Sequence, residues 1–223
     1  MNFLDTILNI IFPARCIACG EGDNELCKNC FANSPLAVRE TEDWVFPMFD
    51  YRHIPIKKSI WLLKYKGRKK IAEIFADVMY GRMIEELSEL SLMKNFNKPL
   101  LIPIPLSKKR YRERGYNQAL LICEELMDID RKNNKNSTEK NFELGKNILI
   151  KTKETEHQAN IKERKDRLKN LSGSFHVKKE DAVKGRNVIL IDDVTTTSAT
   201  LHEAKKILKQ SGAKNIIAFT VAH

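Results

Sequence analysis

The chain has 223 residues, room for one α/β domain with a small appendage, and its 42% hydrophobic content supports an ordinary core. No stretch approaches the ~20 consecutive apolar residues of a spanning helix, which excludes a helical membrane protein and makes the cytoplasm the expected compartment. Lys and Arg outnumber Asp and Glu by 39 to 29, and the net charge of +10 points either to an anionic partner or simply to solubility.

In chain order, residues 1–12 are apolar, with Phe3, Leu4, Ile7, Leu8 and Ile11 on one face. They carry Asp5 and no basic start, so a short packed helix is expected rather than a signal peptide. Two C-x₂-C pairs follow, Cys16/Cys19 and Cys27/Cys30, separated by seven residues. Two such pairs can supply four thiolates to one tetrahedral Zn²⁺, with a structural role because no coordination position stays open. Disulfides, an iron–sulfur cluster and a redox pair are the alternatives, and a cytosolic chain disfavours stable disulfides. A segment of some thirty residues buries little core, so a metal would supply the missing stability. The expected organisation is a Cys₄ zinc-ribbon module over residues 1–40 and an α/β domain over 41–223.

Residues 44–51 read as a strand, and Pro47 favours an edge position. Helical spacing covers 54–65 and 71–92, and residues 100–106 form a strand ending in prolines. Five cations follow that strand end, Lys108, Lys109, Arg110, Arg112 and Arg114. They suit a diphosphate or a nucleic-acid backbone. A helix is expected over 116–127, with Cys123 in the core. The polar, Asn/Lys-rich stretch 128–146 reads as a flexible loop, 147–150 as a short strand and 155–171 as a charged segment of helical tendency. Two buried strands, 188–191 and 216–221, close the chain. Strands alternating with helices imply a mainly parallel sheet flanked by helices, with ligands bound beyond the C-terminal strand ends.

The most informative stretch is residues 188–201. A four-residue apolar strand is ended by Asp192 and Asp193. Small residues follow, Thr195, Thr196, Thr197, Ser198, Ala199 and Thr200, then a helix from 202 to 210 with Leu201, Ala204, Ile207 and Leu208 on one face. A small-residue loop opening a helix points unpaired N–H groups and the positive helix end at one spot, which makes a phosphate cradle. Paired carboxylates beside it can accept hydrogen bonds from a sugar diol or hold a hydrated Mg²⁺.

This order of residues resembles the phosphoribosyl pyrophosphate (PRPP) signature of type I phosphoribosyltransferases. The resemblance implies that Asp192 and Asp193 contact the ribose 2′ and 3′ hydroxyls and that residues 195–200 wrap the 5′-phosphate. Ser198 stands where that family usually has Gly, the residue that reaches positive φ without cost. Residues 102–121 (IPIPLSKKRYRERGYNQALL), together with 63–67 (LKYKG), 151–155, Gln158, Ala159, Arg164, 173–175 and the cysteine pairs, resemble the ComF family of competence-associated, phosphoribosyltransferase-like proteins. That resemblance implies a type I phosphoribosyltransferase fold with a zinc ribbon, PRPP bound with Mg²⁺, and a role in handling incoming single-stranded DNA. By the same resemblance Pro103 to Ser107 form the pyrophosphate loop, with Pro105, Ser107, Lys108 and Arg114 as contacts. Residues 151–167 would then form a mobile loop that closes over the ligand, carrying Lys151, Lys153, Gln158 and Arg164. Lys153 and Arg164 join Asp192 and Asp193 as catalytic candidates.

Two functions follow as expectations. An enzyme would transfer phosphoribose from Mg²⁺-PRPP to an acceptor and release pyrophosphate. Thr196 stands where purine-base transferases commonly carry an Asp, and it cannot ionise to act as a general base, which disfavours a 6-oxopurine acceptor. A binding module would instead hold PRPP or DNA without turnover. Basic clusters at 64–70, 108–114 and 162–169, with Tyr65, Tyr111 and Tyr116 among them, suit single-stranded DNA. A competence helicase or another uptake protein is the partner that the resemblance implies.

Overall fold

The computed structural model describes residues 15–22, 25–38, 42–135, 140–152 and 173–223. The expected helices at 1–12 and 155–171 lie outside the described residues. The elements are α1 (Lys28–Ala32), β1 (Val45–Phe49), α2 (Ile54–Tyr65), α3 (Lys70–Lys94), β2 (Leu100–Pro103), α4 (Lys108–Arg114) and α5 (Gln118–Asn133). They continue with β3 (Glu143–Leu144), β4 (Leu149–Lys151), β5 (Phe175–Val177), a 3₁₀ turn (Glu180–Ala182), β6 (Val188–Val194), α6 (Ala199–Gln210) and β7 (Ile216–Ala222).

Five strands form one parallel sheet in the order β1-β7-β6-β2-β3. β4 and β5 pair antiparallel as a separate ribbon. Along β6, Ile189 and Ile191 face one core cluster while Val188 and Leu190 face the other. Both faces are therefore buried, as a parallel sheet requires, and the strand reads as a continuous apolar run. One side is covered by α2, α3 and α5 through Ile56, Ile60, Leu63, Phe75, Ile122 and Leu126. The other is covered by α6 through Leu201, Ala204 and Leu208, with Phe175 and Val177 of the ribbon. The cysteine loop joins the first cluster: Phe31 is fully buried, 4.5 Å from the Phe49 ring and 5.2 Å from that of Phe75.

β1 is the edge strand that Pro47 predicted. Its outer side is covered by residues 36 and 37, through a bridge of Leu36 to Phe49 and an Ala37 N–H donated to the Met48 carbonyl. The helices expected over 54–65 and 71–92 form as read. Two boundaries differ at the β6–α6 turn. β6 runs through Asp192 and Asp193 to Val194, since those residues continue the ladder with Thr220 and Ala222 of β7. α6 opens at Ala199, three residues before the expected start.

The loop expected over 128–146 is largely structured. α5 continues to Asn133, and Glu143–Leu144 adds a strand beside β2. The cause is Asp130, fully buried. Its carboxylate accepts hydrogen bonds from Tyr80 (3.0 Å), Asn134 (2.9 Å) and the Asn141 side chain (2.7 Å) and backbone (3.2 Å). These bonds, together with the buried Phe142, fasten a polar stretch to the fold. No helix among the described residues is long and apolar enough to cross a membrane.

Candidate functional site

Successive strands leave β2 toward β3 on one side and β6 toward β7 on the other. The strand order thus reverses between β2 and β6, and an open α/β sheet binds ligands in the crevice beyond such a point. The loops that meet there are 103–107 and 192–200. They bound a cavity of about 580 Å³, whose lining includes Lys64, Arg110, Arg114, Lys151, Asp192 and Asp193.

On the β6 side, the loop 195–198 turns the chain into α6. Ser198 takes left-handed backbone (φ 53°, ψ 9°), the conformation for which Gly is the usual choice. As the N-cap of the twelve-residue α6, its side chain makes no cap bond. Its hydroxyl instead lies 3.3 Å from that of Thr195. The buried Thr197 hydroxyl has no hydrogen-bond partner. An orphaned buried donor beside an uncapped helix start fits an anion. Residues 195–201, with Asp192 and Val194, line a small pocket there.

The opposite wall is organised by one short segment, Arg114 to Gln118. Gly115 ends α4 in left-handed backbone (φ 77°). Tyr116 donates its hydroxyl to the Leu63 carbonyl near the end of α2. Asn117 caps α5 and also donates to the Ile104 carbonyl at 3.0 Å, tying the loop after β2 to the helix start. Arg114 donates to Gln118 at 2.8 Å, while the Gln118 amide nitrogen, also buried, is left without a partner beside the cavity. Ser107 caps α4 by accepting from the Arg110 N–H, so its side chain is already engaged.

Lys64 is the residue that sequence reasoning missed. The sequence places it in the basic cluster 64–70, yet its ammonium sits 2.6 Å from Asp193, with side-chain exposures of 20% and 10%. The signal was present: Lys64 lies one turn after the buried Ile60, on the stripe that carries Ile56 and Leu63. A lysine on an apolar stripe needs a partner. Burial pulls the lysine down, but Asp193 and Asp192 outweigh it and hold it above its ordinary value. For Asp192, burial and then the neighbouring Asp193 charge push the carboxyl up to about 7, against the opposing pull of Lys64, the Asp193 amide and Lys151.

Of the residues singled out from sequence, Asp192, Asp193, Thr196, Thr200, Pro105, Arg114 and Lys151 line the one cavity. Thr195, Thr197, Ser198 and Ala199 line the adjoining pocket. Lys108 is exposed and is not among the lining residues, and Arg110 takes its place. Lys153, Gln158 and Arg164 lie outside the described residues.

In the N-terminal part of the chain the four sulfurs of Cys16, Cys19, Cys27 and Cys30 lie within 4.8 Å of one another. Tetrahedral Zn²⁺ with Zn–S near ~2.3 Å holds its sulfurs about 3.8 Å apart, so the cluster fits a metal. Backbone N–H groups of Cys27 and Cys30 point at the Cys16 and Cys27 sulfurs, each at 3.4 Å. Burial raises the Cys16 thiol, but the amides of Cys27, Cys19 and Ala18 and the Cys19 side chain draw it down to about 6. Sharing a hydrogen bond with Cys27 pushes Cys30 up to about 12.

The phosphoribosyl transferase domain family matches residues 127–223. The competence protein ComFC of Bacillus subtilis is 29% identical over 214 residues, covering 92% of this chain and 76% of that protein. Competence protein F of Haemophilus influenzae is likewise 29% identical over 217 residues, covering 92% and 83%. The DNA utilization protein YhgH of Escherichia coli K12 is 26% identical over 159 residues, covering 71% of this chain and 63% of that one. The chain is thus similar over nearly all of its length to competence proteins of the ComF type, and its C-terminal part carries the phosphoribosyl transferase domain on a mainly parallel sheet flanked by helices.

Proposed function

We propose that the cavity binds PRPP with Mg²⁺ and that the protein uses this site while handling single-stranded DNA during DNA uptake. The observation that carries the reading is the pairing of two carboxylates with an uncapped helix start, opposed by Lys64, Arg110, Arg114 and Lys151 across one cavity. In this reading Asp192 and Asp193 accept hydrogen bonds from the ribose 2′ and 3′ hydroxyls. Amides and hydroxyls of residues 195–200 hold the 5′-phosphate. Arg110, Arg114 and Lys151, with the loop through Pro105 and Ser107, face the diphosphate, and Lys153, Gln158 and Arg164 supply further contacts. Mg²⁺, when bound, neutralises part of the diphosphate charge.

Transfer would form a bond from an acceptor to C1 of the ribose and break the C1–diphosphate bond, the cations stabilising the leaving charge. No carboxylate stands at Thr196 to deprotonate a purine, so the acceptor is of another class or the ligand is held without turnover. The DNA half of the reading is supported by the relatives, which are named for competence and DNA utilization. At the four cysteines we propose a structural Zn²⁺, with residues 1–40 as its module and 41–223 as the transferase-like domain.

Calorimetric titration of Mg²⁺-PRPP into wild type and Asp192→Asn/Asp193→Asn tests the site. Saturable binding that the double variant loses supports the reading. Absence of binding by wild type overturns it.

A further inference from the structure

We propose that Trp61 and Tyr65 form a stacking wall on which bases of a single-stranded nucleic acid lie at the mouth of the cavity. This deepens the reading above, and it rests on the nucleic-acid half of that reading, not on the sugar-diphosphate half.

α2 buries Ile56, Ser59, Ile60 and Leu63 and leaves its two largest side chains, one turn apart, at 46% and 50% exposure. Both line the same cavity as Asp192 and Asp193. Their rings are 6.2 Å apart and tilted by 47°, so they do not stack flat on each other and each keeps a face for a third ring. Each ring also carries a cation: the Lys66 ammonium stands 5.3 Å from the Trp61 centroid and the Arg114 guanidinium 5.2 Å from that of Tyr65. Half-exposed aromatic rings, each with a cation over it, match the two parts of a nucleotide, a base with a π-face and a phosphate.

A strand suits this arrangement better than a free base. The rings stand half in solvent rather than closing over the cavity. Lys66 is not among the cavity-lining residues, so positive charge continues outward from the mouth, where a backbone uses it and a lone base does not. The other tyrosines of the basic segments have different employment. Tyr116 is half-buried and its hydroxyl is tied to the Leu63 carbonyl. Tyr111 is exposed on α4 and does not line the cavity.

The test measures binding of a labelled oligo-dT to the full chain, beside an abasic oligomer of equal length and charge. Trp61→Ala and Tyr65→Ala should each weaken oligo-dT binding roughly tenfold, and Trp61→Phe should restore most of it. The abasic oligomer should bind weakly and be indifferent to all three substitutions. In a Trp44→Phe background, Trp61 is the one remaining tryptophan and its emission should be quenched by oligo-dT. Alanine variants that keep wild-type affinity, or an abasic strand that binds as tightly as oligo-dT, overturn the proposal. Quenching by free thymine but not by oligo-dT overturns it in favour of a small-molecule subsite. Because no arm contains PRPP, failure of the sugar-diphosphate reading leaves these outcomes intact, and the reverse also holds.

Discussion

Replacing Lys64 by Met removes the cation in direct contact with Asp193 and leaves that buried carboxylate without its lysine. At 2.6 Å the ion pair is worth about 6 kcal/mol in an effective dielectric of ~20. Desolvation of both groups offsets much of that, and truncating one member of a buried pair costs about 3–5 kcal/mol in practice. For a chain of this size that is a fall in Tm of roughly 10 °C.

The loss should depend on pH in a definite direction. Lys64 titrates above its ordinary value in the folded protein, so its stabilisation is complete below the unfolded pKa and fades only as pH rises through the raised one. Asp192 is raised to about 7, so protonation of its carboxyl stabilises the fold fully below the unfolded pKa near ~3.9, and that contribution is lost as pH rises through 7. Without the lysine, the repulsion between the two neighbouring carboxylates loses its largest counterweight once both are ionised. The deficit of Lys64→Met is therefore largest near pH 8 and shrinks toward pH 5. Urea unfolding of wild type, Lys64→Met, Asp193→Asn and the double variant at both pH values measures it, with the coupling taken from the cycle. A deficit under about 1 kcal/mol at pH 8, a deficit that does not change with pH, or a coupling below about 0.5 kcal/mol would refute the reasoning.

Ser198→Gly should raise stability by about 0.5–1 kcal/mol, because relief of left-handed backbone strain outweighs the entropy gained by the unfolded chain. A lowered Tm in a melting experiment would show that the Ser198–Thr195 contact matters more. Cys16→Ser should release the metal and loosen the packing around Phe31. Metal analysis and hydrogen exchange of residues 15–38 would read it out, and retained zinc at one ion per chain would count against a four-thiolate site. Asp130→Ala should cost about 3–5 kcal/mol by stranding the donors of Tyr80, Asn134 and Asn141, with faster amide exchange at 141–144. Unchanged exchange there would mean that Phe142 alone holds the strand.

The elements that were legible are those whose cues are local. An apolar run, two acids and a set of small residues announce the β6–α6 turn, because strand burial and helix initiation are decided by neighbours in sequence. Pro47 likewise marks an edge by what a proline cannot donate. The stretch from 128 to 146 misled for the opposite reason. Its order comes from Asp130 reaching Tyr80, fifty residues away, and a composition of Asn and Lys gives no hint of that. Lys64 was partly legible: its place on the buried stripe of α2 was visible, but its partner, 129 positions later, was not. Asp192 and Asp193 were read as ending the strand, since acids seldom sit in a ladder. They remain in it because the ladder with β7 continues past them to Ala222.

β7 lies between β1 and β6, although it is the latest strand in the chain. Its neighbours are therefore separated from it by very different distances, Val45 pairing with Ala218 but Val188 with Ile216. Until residues 216–222 emerge from the ribosome, β1 has no partner in the sheet and β6 presents a bare edge. The Thr195 amide also lacks the Ala222 carbonyl that fixes the start of the loop. A nascent chain of this protein thus carries β1 without its sheet partner while residues 50–215 are made, and β6 joins it as a second open edge from residue 194 onward, a state prone to wrong pairing. Its yield in a cell should depend on chaperone capacity more than its size suggests, and stop codons within the last strand should produce aggregates rather than a weakened protein.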